Sequence, residues 1–145
     1  MKLRRWVFVA GVVLLGAGLS ACGGETAAND FEAGECTNDD LTGSVGDIET
    51  VDCDEVHTAE AYAQFDVDGD DFPGTEEIQT EGAEGCQGDR FEDYVGLSYA
   101  ESIYLANGIV PSEDSWENGD RTVICVIGGT TDGSELEGSA EGTNE

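Results

Sequence analysis

The sequence predicts a small α+β domain, stapled by disulfides, with a short antiparallel sheet and one main helix. Three observations predict it. Cys36, Cys53, Cys86 and Cys125 form an even set spread through the body of the chain. Several short stretches alternate apolar and polar side chains, the period of a half-buried strand. One longer stretch, from Thr75 to Val95, carries the signals of a helix instead.

Residues 48–53 (IETVDC) alternate acidic and apolar or small side chains, as one face of a sheet requires. Residues 57–67 (HTAEAYAQFDV) place Ala59, Ala61, Ala63, Phe65 and Val67 on one side at period two, with Tyr62 on the other. Asp68-Gly69-Asp70 and Pro73-Gly74 read as turns. Thr75 then opens a helix with Glu76 and Glu77 in its first turn, where the dipole favours carboxylates, and Gly96 stops it. Gly82, Gly85 and Gly88 lie inside, each costing up to about 1 kcal/mol against alanine, so this helix depends on packing. Residues 101–110 and 121–127 read as strands, and Pro111–Trp116 between them as a capped helical turn closed by Gly119.

The N-terminus reads as an export signal over residues 1–21. Lys2, Arg4 and Arg5 precede fourteen apolar or small residues, Trp6 to Leu19. As a helix these span about 21 Å, short of the ~30 Å hydrocarbon core that a permanent span must cross. The run ends in Leu19-Ser20-Ala21-Cys22, the pattern of a lipobox, which makes Cys22 the expected acceptor of diacylglycerol and fatty acids such as palmitate. Two or three acyl chains give lasting anchorage. The expected location is the cell membrane, lipid-anchored, on its extracytoplasmic face. The expected organisation is an acidic tether over 22–34, a domain over 35–127 and a disordered acidic tail over 128–145. That tail carries one large apolar residue, Leu136.

All 33 acidic residues follow Cys22, where Arg90 and Arg121 are the only cations, so the exported portion carries −31 formal charges. Nothing could neutralise phosphates, which excludes nucleic acid as a partner. Anionic headgroups repel such a surface, so membrane attachment rests on the lipid. The remaining expected partner is an envelope protein or ligand that the sequence leaves undefined.

With Cys22 committed to lipid, four cysteines remain for an oxidising compartment. They allow three connectivities. Local pairing asks least of the topology, and its two loops would contribute about 3 and about 4 kcal/mol on the chain-entropy account. A metal site is the weaker reading, because no Cys-x-x-Cys occurs and His57 is the single histidine.

The core resembles the septum formation family of actinobacterial envelope proteins. The matching residues are Gly34-Glu35-Cys36, then Val51-Asp52-Cys53 through His57 to Glu60, similar to the family's V-x-C-x-x-P-H-x-x-E-V. They continue with Phe72-Pro73-Gly74, with Cys86 followed by Phe91 and Tyr94-Val95-Gly96, and with Pro111–Val126. Val56 stands where the family usually has proline. The resemblance implies an α+β fold, pairing of Cys36 with Cys53 and of Cys86 with Cys125, and a connection with septum formation. It supplies no catalytic residues.

Several side chains invite a chemical reading. His57 and Glu60 could be a base and its partner, but at i and i+3 of one strand they would face opposite sides. A structural histidine beside Cys53 is the stronger reading. Asp120 and Arg121 are expected to form an internal ion pair, and Trp116 to plug the core. Asp66, Asp68, Asp70 and Glu77 occupy positions 1, 3, 5 and 12 of an EF-hand-like loop, yet Asp71 replaces the position-6 glycine and Pro73 breaks position 8. These four are weak metal candidates only. No cofactor motif and no nucleophile set is present. The expectation is therefore a non-catalytic binding module in the cell envelope. An enzyme of envelope metabolism and a cation-associating acidic surface protein are the competing classes. An apolar groove around Trp116 and Tyr94 would favour the first.

Overall fold

The computed structural model describes residues 25–27, 30–42 and 45–145. The expected signal over 1–21 and the expected lipidation site at Cys22 lie outside the described residues. In chain order the elements are β1 (Glu25–Ala27), β2 (Cys36–Thr37), β3 (Asp47–Val51), β4 (Val56–His57), β5 (Ala59–Asp66), α1 (Thr75–Gln87), α2 (Asp89–Val95), β6 (Tyr104–Ile109), α3 (Glu113–Glu117), β7 (Thr122–Thr130) and β8 (Leu136–Glu137). Six strands form one antiparallel sheet in the order β1-β3-β2-β5-β7-β6, and β4 pairs with β8 in a separate two-stranded ribbon. Two disulfides, Cys36–Cys53 and Cys86–Cys125, close loops of 17 and 39 residues. The fold is a small disulfide-stapled α+β domain, as the sequence predicts.

The sheet buries both faces. On one, α1, α2 and the C-terminal segment cover Tyr62, Val123, Cys125 and Ile127. On the other, Phe31 and Ile48 close over Ala61, Ile124 and Val126. Strict alternation along β5 does not hold. A bulge between Ala61 and Ala63 inserts Tyr62 as an extra residue, so Ala61 faces the Phe31 side while Tyr62, Ala63 and Phe65 face the helices. A bulge advances the side-chain alternation by one residue, and this one turns Tyr62 inward to donate its hydroxyl to the Cys86 carbonyl.

The helical stretch 75–95 is broken at Gly88, whose ψ of −144° leaves the helical region. The helix does open at Thr75, and its cap residue is Gly74, without a side-chain hydrogen bond. The interior glycines have a packing role. A Cβ on Gly82 would stand 2.6 Å from Val110 Cγ1, and one on Gly85 would enter the Phe65 ring. Their absence lets α1 settle directly onto the sheet. At α3 the Ser112 cap and Ser115 form a reciprocal capping box.

Both expected chain-end readings need correction. The 22–34 segment is not simply a tether: β1 pairs with β3, Phe31 is fully buried, and the Gly34 amide donates to the Ala61 carbonyl. Residues 128–145 are not a disordered tail. β7 runs on to Thr130, Leu136 and Ala140 are buried, and Gly142 and Asn144 donate to the Tyr94 and Val95 carbonyls. The segment lacks apolar bulk, and polar contacts hold it instead. Among the described residues, no helix is long and apolar enough to cross a membrane.

Candidate functional site

His57 and Glu60 do not face opposite sides. The chain changes partners between them: β4 pairs with β8, whereas β5 pairs with β2 and β7, so one strand's alternation does not span the pair. Cys36 lies directly across from Glu60 in the β2–β5 register. One donor atom each from Cys36, His57 and Glu60 thus comes within 4.8 Å of the others, and all three residues are fully buried.

Glu60 is the hub of this cluster. Its Oε1 accepts from the Tyr94 hydroxyl at 2.7 Å and the Ser139 hydroxyl at 2.5 Å, and its Oε2 from the Ala140 amide at 2.8 Å. These bonds tie α2 and the C-terminal segment to the centre of the sheet. Burial pushes the Tyr94 phenol well above its ordinary range, and its hydrogen bond to Glu60 adds to the shift. His57 Nδ1 lies 2.8 Å from the Glu55 carbonyl, to which it donates because a carbonyl oxygen only accepts, and Nε2 is on the other side of the ring. That Nε2 is buried without a hydrogen-bond partner. The histidine does sit beside the Cys36–Cys53 bridge.

Trp116 is 3% exposed and donates its indole N–H to the Asp70 carbonyl. The Arg121 guanidinium lies 3.7 Å over its ring and donates to the carbonyls of Gly69, Trp116 and Asp120. The expected Asp120–Arg121 ion pair is therefore replaced by carbonyl coordination, while the Asp120 carboxylate accepts from the Thr122 amide. The same guanidinium bears on the loop of metal candidates. Asp66 ends β5 and accepts from Thr122, Asp68 and Asp70 are exposed in the loop, and exposed Glu77 belongs to α1. Arg121 gathers this loop through backbone oxygens, so its carboxylates have no need to converge.

A groove of about 590 Å³ opens where the start of α1, the end of β6 and the start of α3 meet. Val45, Phe72, Ile109 and Val110, each partly exposed, supply apolar surface, and Asp47, Glu113 and Asp120 are its acidic lining. It lies beside Phe72, which packs edge-on against Trp116, and not between Trp116 and Tyr94.

The sequence model for septum formation matches residues 33–144. The chain belongs to the septum formation family. No curated protein and no solved structure matches it. In this septum formation domain the motif residues Cys36, His57 and Glu60 meet beside the first disulfide, and Trp116 and Arg121 of the last motif form the guanidinium stack. The match includes the segment expected to be disordered, consistent with its folding onto Glu60. Sequence reasoning missed Ser139 and Ala140 as members of the cluster. They lie 79 and 80 residues from Glu60, and no local pattern connects them.

Proposed function

We propose that this septum formation protein is a non-catalytic binding module, held by lipid on Cys22 at the extracytoplasmic face of the cell membrane. The groove carries this reading. Apolar surface flanked by carboxylates suits an extended partner segment that brings both aliphatic and cationic side chains. The hydrogen bonds within the polar cluster support it: Glu60 is spent on three internal donors, and His57 Nδ1 on Glu55.

The test replaces two exposed groove residues, Asp47→Lys with Glu113→Lys, in a deletion strain, with a photocrosslinker at exposed Gln79. The folded, membrane-bound double variant should lose both its crosslinks and its ability to complement, whereas His57→Gln should complement. Full complementation by the charge-reversed protein would remove the groove from the function. A folded but inactive His57→Gln protein would move the function from the groove to the buried cluster. Cys22→Ser should abolish lipid mass and membrane retention together, and an unmodified mature N-terminus at another residue would overturn the anchor.

A further inference from the structure

We propose that Cys36, His57 and Glu60 are the ligands of a zinc site that the Cys36–Cys53 disulfide keeps closed and that a dithiol reductant opens. Three independent features converge on it. The ligand atoms already lie within 4.8 Å of one another in a fully buried position. A tetrahedral zinc with bonds of about 2.0 to 2.3 Å holds its ligands roughly 3.4 to 3.8 Å apart. Closure by about 1 Å is a side-chain adjustment, available once Cys36 is released from Cys53.

The histidine is prepared for this role. Its Nδ1–H is held by the Glu55 carbonyl, the arrangement that orients a ligating imidazole, and the remaining Nε2 is buried and unpartnered. Glu60 is also braced from behind, by Tyr94, Ser139 and Ala140, as ligating carboxylates are.

The charges balance too. A thiolate, a carboxylate and a neutral imidazole carry two negative charges, which a dication cancels in a site from which water is excluded. Thiolate, imidazole and carboxylate together suit zinc.

The opening step follows from exposure. Cys53 is half-buried while Cys36 is fully buried, so a reductant thiolate attacks the Cys53 sulfur. The S–S bond breaks and its electron pair leaves on Cys36 as a thiolate. The second thiol of the reductant, as thiolate, then attacks its own mixed-disulfide sulfur, forming a cyclic disulfide and releasing Cys53. The reductant loses two electrons and two protons. Cys53 takes up one proton, and the other goes to solvent as zinc takes the Cys36 thiolate. Cys86–Cys125, with both cysteines fully buried, is shielded from the same attack.

Cys53→Ser tests the site without any reductant, since it leaves Cys36 as a free thiol. Full-length Cys53→Ser protein in detergent should bind one zinc per chain by native mass spectrometry. With cobalt it should show a thiolate-to-metal charge-transfer band. Oxidised wild type should bind neither metal at the same concentration, and adding His57→Gln to Cys53→Ser should weaken zinc binding at least tenfold. Should Cys53→Ser fail to fold, wild type treated with a dithiol decides the matter, with peptide mapping to confirm that Cys86–Cys125 stays closed. Folded protein with a free Cys36 that takes up no zinc, or zinc binding indifferent to His57→Gln, overturns the proposal.

Discussion

At the scale of single residues the domain is organised by two side chains that sequence pattern would send to the surface. Glu60 is a fully buried carboxylate in a strand, and Arg121 is a guanidinium lying on an indole. Each serves groups from distant parts of the chain. Glu60→Gln retains the side-chain shape but sets an NH2 group against hydroxyl and amide donors, so at least one buried donor loses its acceptor. The expected cost is about 1–3 kcal/mol in denaturant unfolding, with hydrogen exchange rising first across residues 139–144. An unchanged midpoint would mean that the three bonds contribute nothing net. The phenols offer a second test. Burial raises both Tyr62 and Tyr94 above the ordinary 10.0, with the neighbouring Tyr99 adding at Tyr62 and the Glu60 hydrogen bond at Tyr94. A phenol raised in the folded state favours folding in its protonated form. That contribution is complete below about pH 10 and is lost as pH rises above it. Ultraviolet titration should therefore show Tyr62 and Tyr94 ionising only as the domain opens. Ionisation of Tyr62 and Tyr94 near the ordinary phenol range on folded protein would contradict this.

At the scale of elements, the glycines of α1 show local propensity and tertiary packing pulling in opposite directions. Gly85→Ala removes a helix penalty of about 1 kcal/mol, yet its methyl must enter the Phe65 ring, itself pinned beneath Arg90 at 4.3 Å. The variant should be destabilised by about 1–3 kcal/mol despite its better helix propensity, as overpacked cores are. Thermal unfolding checks the sign, and a stabilised variant would show that the ring moves freely. The same conflict explains what the sequence could and could not disclose. The strand at 47–51 was legible from alternation, those over 104–109 and 122–127 as short apolar runs, and α3 from its capping chemistry, because these signals are local. The break at Gly88 was hidden among three similar glycines. The bulge at Tyr62 was hidden because its cause, a hydroxyl reaching the Cys86 carbonyl, lies 24 residues away. The C-terminal segment was misread for the same reason: composition counts apolar bulk, whereas its anchor is the Glu60 carboxylate. Of the polar cluster, His57 and Glu60 stood out in the sequence, but assigning them to one continuous strand separated two side chains that the change of partners brings together.

For the molecule as a whole, the governing quantity is charge. Beyond Cys22 the chain carries −31 formal charges, and both of its cations are engaged with aromatic rings, Arg90 with Phe65 and Arg121 with Trp116. The surface is left with carboxylates that repel one another, which opposes the compact state and favours the expanded one. The disulfides and the doubly covered sheet must offset that repulsion continuously. Screening relieves it: the Debye length falls from about 30 Å at 0.01 M to about 10 Å at 0.1 M and about 3 Å at 1 M. The melting temperature should therefore climb steeply up to a few tenths molar sodium chloride and then flatten. Potassium chloride should trace the same curve, because screening depends on ionic strength and not on cation identity. Calcium at matched ionic strength should add a further, unsaturating rise as it associates diffusely with the acidic surface. A melting temperature flat between about 10 and 300 mM salt would show that the fold already neutralises its own field. A calcium titration that saturates at one ion with micromolar affinity would instead revive the Asp66–Glu77 loop as a true site, at the expense of the carbonyl coordination by which Arg121 gathers it.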